Sequence, residues 1–141
     1  MTNEDYLNQV GILSRRIVYH TERLNRMRRE ADAVRSIRCG RIGGTAGNND
    51  APYVRMLERI EEYEEELEGE NKLYLDLQAQ VEQVLSTLPE EQRLVLMYRY
   101  LEGMSYRYIG EILYVDSRTV RRWHEAALNK MILPDEAIRI H

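Results

Sequence analysis

Apolar residues along the first 88 positions recur in alternating steps of four and three. From Asn3 to Ile37 they fall at Tyr6, Val10, Leu13, Ile17, Leu24, Met27, Ala31 and Val34, with His20 the one polar residue in the series. From Tyr53 to Leu88 they fall at Tyr53, Met56, Ile60, Tyr63, Leu67, Tyr74, Leu77, Val81, Val84 and Leu88, with Glu70 the one polar residue. A sustained seven-residue repeat marks a helix that offers a narrow stripe to a partner helix, as in the seam of a coiled coil. Between the two repeats lies CGRIGGTAGNNDAP, Cys39 to Pro52, whose four glycines and two asparagines predict a connection. Asp50 and Pro52 then suit the cap and first turn of the second helix. Such a loop lets the helices fold back as an antiparallel hairpin over residues 1–87. Pairing Val34 with Met56 sets Leu24 against Leu67, Leu13 against Leu77, Tyr6 against Val84 and His20 against Glu70. The two polar positions coincide, and a matched polar pair disfavours slipped alignments that would leave each group against apolar neighbours.

After Leu88 the pattern changes. Leu88-Pro89 followed by Glu90 and Glu91 predicts a helix with proline in its first position and acids near its positive terminus. Val95, Leu96 and Tyr98 supply apolar surface, and Glu102-Gly103 ends the segment. Met104 to Met131, MSYRYIGEILYVDSRTVRRWHEAALNKM, reads as two helices joined by a sharp turn. Ile109, Ile112 and Leu113 share a face of the first, and Gly110 permits close packing. Val115 lies inside the turn and Asp116 is a good N-cap. In the second helix Val120, Trp123, Ala127 and Met131 form the expected buried stripe, and Leu133-Pro134 closes it. Ser117, Arg118, Thr119, Arg121, Arg122 and Glu125 are the candidate DNA-binding residues. Arginine can reach guanine bidentately, a carboxylate can accept from cytosine, and a helix N-terminus can hold a phosphate.

The run LPEEQRLVLMYRYLEGMSYRYIGEIL, Leu88 to Leu113, followed by VDSRTVRRW, resembles region 4 of sigma-70-type transcription factors. There a Leu-Pro-Glu opening leads a helix ending in Tyr-Leu-Glu-Gly, and Ser-Tyr opens a helix-turn-helix. The resemblance extends from Leu88 to about Met131. The whole chain is similar to small phage and prophage regulators of the RinA and ArpU type, which join such a domain to an N-terminal helical part. The resemblance implies a three-helix DNA-binding domain over residues 88–132 and a contact between its first segment and the flap of RNA polymerase. Where the family usually has glycine in the turn, this chain has Tyr114. A left-handed backbone there costs a non-glycine residue about 1 kcal/mol or more.

Charge sharpens the picture. The net charge is −4, yet residues 1–50 carry nine basic and six acidic groups and residues 51–88 carry three basic and ten acidic, so the two helices are oppositely biased. Arg15, Arg16, Arg23, Arg26, Arg28 and Arg29 are expected to lie along EEYEEELEGE, Glu61 to Glu70. The competing reading of the arginine run is a second nucleic-acid patch. The start MTNEDYLNQV lacks the basic and apolar parts of a signal peptide, and no apolar run approaches the ~20 residues of a membrane span. A lone Cys39 and isolated His20, His124 and His141 predict no disulfide, no metal site and a reducing, cytoplasmic setting. No nucleophile elbow, phosphate loop or catalytic triad spacing is present, and no cofactor is expected.

The sequence therefore predicts an all-α protein: an antiparallel helical hairpin, a helix-turn-helix domain and a tail over residues 133–141. The expected partner is double-stranded DNA, with RNA polymerase and a second copy bound through the N-terminal helices as open further partners. Three functions fit: regulation of transcription, DNA recognition for phage packaging as in small terminase subunits, and a helical scaffold whose C-terminal domain binds protein.

Overall fold

The computed structural model describes residues 1–39 and 50–141, and the protein is all-α. Helix α1 spans Asn3–Cys39, α2 Asp50–Leu85, α3 Glu90–Leu96, α4 Tyr106–Leu113 and α5 Ser117–Lys130. Most of the expected connection, residues 40–49, lies outside the described residues. The chain divides into two compact units, one of Met1–Arg15 with Leu73–His141 and one of Arg16–Lys72.

The unit of residues 16–72 is an antiparallel pair of helical segments. Leu24, Ala31, Ile60 and Leu67 are its buried core, with Ile17, Met27, Tyr53, Met56 and Tyr63 packed against them. These are seam positions of both heptad series. His20 and Glu70 meet as expected, with Nδ1 and Oε1 2.6 Å apart. Tyr63 abuts the His20 ring edge-on, and Arg23 lies 5.6 Å from the centre of the Tyr63 ring. Both partners of the pair are about a quarter exposed or less, so water screens it only partly. Among the described residues Arg28–Glu64, at 2.8 Å, bridges the two strips, and both of its side chains are nearly half exposed. Such a pair contributes about 0–1 kcal/mol.

In the other unit the heptad description of α1 and α2 breaks down. Leu7 and Gln9 are buried alongside Tyr6, Val10 and Leu13, and Leu85 rather than the expected Val84 is fully buried. The reason is that α1 is covered here on more than one side. Asn3 Nδ2 donates to the carbonyls of Leu128 and Met131, 2.7 and 3.0 Å away, at the C-terminal end of α5. Residues after α5, with a turn at 135–136, are held by two side-chain amides. Gln9 donates to the Ile138 carbonyl and accepts from the Ile140 amide. Gln80 donates to the Glu136 carbonyl and accepts from the Ile138 amide and the Tyr6 hydroxyl. Residues 133–141, about which the periodicity says nothing, are thus part of the packed structure.

The segment after Leu88 also differs in detail. Pro89 is the N-cap rather than the first helical residue, and its carbonyl accepts from the Arg93 amide. After Leu96 the helix widens into a π turn over Met97–Leu101, closed by the Glu102 amide on the Met97 carbonyl. Gly103 then takes φ +68°, a value glycine adopts without steric penalty, and ends the element at the expected Glu102-Gly103.

Candidate nucleic-acid interface

Helices α3, α4 and α5 each give one residue to a common core, Val95, Ile109 and Val120, all fully buried. Tyr98, Met104, Tyr106, Leu113, Val115 and Trp123 pack around them. Local chemistry starts each of the last two helices. Ser105, in extended conformation, accepts from the Tyr108 amide at 3.2 Å and caps α4. Asp116 accepts from the Thr119 amide at 2.8 Å and caps α5. Hydrogen bonding from the side chain and backbone of Thr119, aided by the charges of Arg118 and Arg122, holds the Asp116 carboxyl below its ordinary range. The carboxylate thus takes the Thr119 amide, one of the free amides of the first turn.

Between the two helices the chain turns in three residues. Tyr114 has φ 60° and ψ 40°, the left-handed conformation expected from its place in the turn, and is 95% exposed. Packing therefore does not offset its strain. The amides of Tyr114 and Val115 both reach the Gly110 carbonyl. A Cβ on Gly110 would sit 2.6 Å from the Val115 carbonyl oxygen, closer than real Cβ contacts come. Glycine at 110 is what lets the turn fold onto α4.

The buried stripe of α5 is Val120, His124, Ala127 and Met131. This corrects the expected stripe, in which Trp123 took the central place. Trp123 is only half-buried, at the margin of the core, and His124 is 7% exposed. Adjacent helical residues differ by about 100° around the axis, so a stripe can be displaced by one residue while its other members remain. A hydroxyl makes the buried imidazole tolerable: Tyr100 Oη lies 2.7 Å from His124 Nε2. Burial, with Arg99 nearby, lowers the His124 pKa, and burial first of all pushes the Tyr100 hydroxyl up to about 12. Tyr100 therefore keeps its proton, and the direction of this hydrogen bond follows the tautomer of the imidazole. The Tyr100 ring stacks on His124 and the Tyr106 ring meets it edge-on. The π turn carries Tyr100 into this contact, along with Arg99, which donates to the Met104 carbonyl and lies 4.3 Å from the Tyr106 ring centre.

Outside the buried stripe, Ser117, Arg118, Arg121, Arg122 and Glu125 are exposed, and Thr119 is half-buried. At 100° steps Arg118, Arg122 and Glu125 occupy the middle of this face, with Asn129, also exposed and absent from the sequence-based set. Arg121 sits to one side, 5.4 Å from the Tyr106 ring centre, in a cation–π contact that limits its freedom. The arrangement is a helix held by its buried side, presenting cationic, hydrogen-bonding side chains along the other. Among the described residues no group of three or more His, Cys, Asp or Glu could hold a metal ion, and no helix is long and apolar enough to cross a membrane.

Residues 78–131 match the family described as Sigma-70, region 4. The match begins within α2, earlier than the Leu88 at which the motif resemblance starts, and ends at the last buried residue of the α5 stripe. No curated protein and no solved structure shows a significant match to the chain. The C-terminal part of the protein folds as a helix-turn-helix and is similar to sigma-70 region 4.

Proposed function

We propose that this protein is a sequence-specific DNA-binding regulator of transcription, of the kind encoded by phages, with no catalytic role of its own. The observation that carries the reading is the outer face of α5 within a region 4-like domain: Arg118, Arg121, Arg122 and Glu125 exposed on a helix whose opposite side is fixed by Val120, His124 and Ala127. An α-helix fits the major groove, where arginine pairs with guanine and a carboxylate with cytosine. In this reading α5 enters the groove, α4 crosses the backbone and the N-terminal helices serve assembly or contact with the transcription machinery. RNA polymerase is the proposed protein partner, through the segment preceding α4.

Binding of the full chain to duplex DNA at two salt concentrations tests the proposal. Affinity should fall steeply as salt rises, because arginine contacts release counterions from the phosphates. Absence of duplex binding at low salt would contradict it and leave a protein-binding domain. A footprint then separates the DNA-binding roles: protection at promoters supports regulation, and protection confined to a packaging site contradicts it.

A further inference from the structure

The arginines of the unit of residues 16–72 converge at a place that the helix-turn-helix does not involve. A groove of about 410 Å³ is lined by Arg23, Arg26, Arg55 and Arg59, with Met27 and Met56 among its apolar lining and Glu30 its single acid. The first two arginines come from α1 and the other two from α2. On each helix the pair is three or four residues apart, so each helix presents both of its guanidinium groups on one face. The expected neutralisation by α2 does not reach them. The cross-helix bridge is made by Arg28, which is outside the groove, and among the described residues Arg26, Arg55 and Arg59 have no ion pair or hydrogen bond. In a chain of net charge −4, one groove concentrates four cations against one carboxylate.

We propose that this groove is a second nucleic-acid contact that engages the phosphate backbone of duplex DNA without reading sequence. The inference rests on the DNA-binding reading of α5. All four arginines are exposed. Exposed cations suit a polyanion, whose counterion release supplies affinity without burial. A small anion would need desolvated partners, and none of these side chains is buried. A protein partner would need apolar anchors to bury. The methionines here are already committed to the seam between the helices. When α5 holds the chain on DNA, the linked groove meets further duplex at high effective concentration, so weak contacts there add measurably to affinity.

The test compares the full chain with the triple variant Arg26→Gln, Arg55→Gln, Arg59→Gln, measuring duplex affinity across a salt series. The expected result is a log K against log salt plot flattened by about 0.9 for each phosphate that the variant no longer neutralises. Affinity should fall alike on all sequences, with the base preference unchanged. Lysine at the same three positions should keep the parent slope, and the single variant Arg59→Gln should flatten it by about 0.9, a readout that stands should the triple variant fold poorly. A parent that binds duplex, with glutamine variants of equal slope and affinity, would overturn the second contact and leave the α5 reading standing. A parent that binds no duplex would overturn both.

Discussion

Tyr114 is the clearest single-residue tension in the molecule, because it holds a left-handed backbone conformation and has almost no packing contact in return. Tyr114→Gly should raise stability to denaturant by about 1 kcal/mol. An unchanged or lower midpoint would show that the side chain stabilises the turn. Gly110 is the reverse case: Gly110→Ala drives a Cβ against the Val115 carbonyl and should cost about 1–3 kcal/mol, read by the same unfolding curve. His124 adds a pH dependence. Burial depresses its pKa in the folded state below the ordinary 6.5, so between that lower value and 6.5 the unfolded chain binds more protons. Stability from this group is complete above about 6.5 and declines as pH falls through that window to the folded value. Melting curves from pH 8 to pH 5 should show the decline, and His124→Phe should lessen it; an equal decline in the variant would assign it to other groups. The cap at Asp116 and the close approach at Gly110 were legible in the sequence, since both follow from residue type at a turn. The burial of His124 was not, because a one-residue displacement of the stripe depends on where Tyr100 delivers its hydroxyl.

At the scale of elements, the hairpin register could be read from two defects. His20 and Glu70 interrupt two apolar series, and only one antiparallel alignment brings them together. Glu70 Oε2 and the Tyr63 hydroxyl are nevertheless buried without a hydrogen-bond partner, so the pair supplies alignment more than stability. Replacing both residues together, His20→Leu with Glu70→Leu, should leave stability equal or higher, whereas Glu70→Leu alone should cost about 1–3 kcal/mol. A double-mutant cycle with no coupling between the two would contradict the role assigned to them. The C-terminal segment was illegible for a physical reason: its hold depends on the amides of Gln9 and Gln80, two polar residues that no hydrophobic period reports. Ending the chain at Asp135 removes the bonds to Ile138 and Ile140 and leaves Gln9, 6% exposed, without those partners. That truncation should destabilise the protein by about 1–3 kcal/mol. The π turn was equally hidden, since its extra residue changes the phase of α3 without changing its composition.

For the whole molecule, we propose that the C-terminal domain reads DNA through α5 while the arginine groove of the N-terminal helices adds a second contact. The two proposed contributions differ in kind: side chains on α5 would face base edges and confer preference, whereas the arginine groove would engage phosphates and confer only affinity. The most direct measurement is selection of bound duplexes from a random-sequence pool by the full chain, repeated with Arg121→Ala and Arg122→Ala. The parent should enrich a short motif. At least one variant should relax a single position of that motif, with a loss of about 1–3 kcal/mol on the selected site. No enriched motif, or the same motif at equal affinity in both folded variants, would contradict the assignment of α5 as the recognition helix.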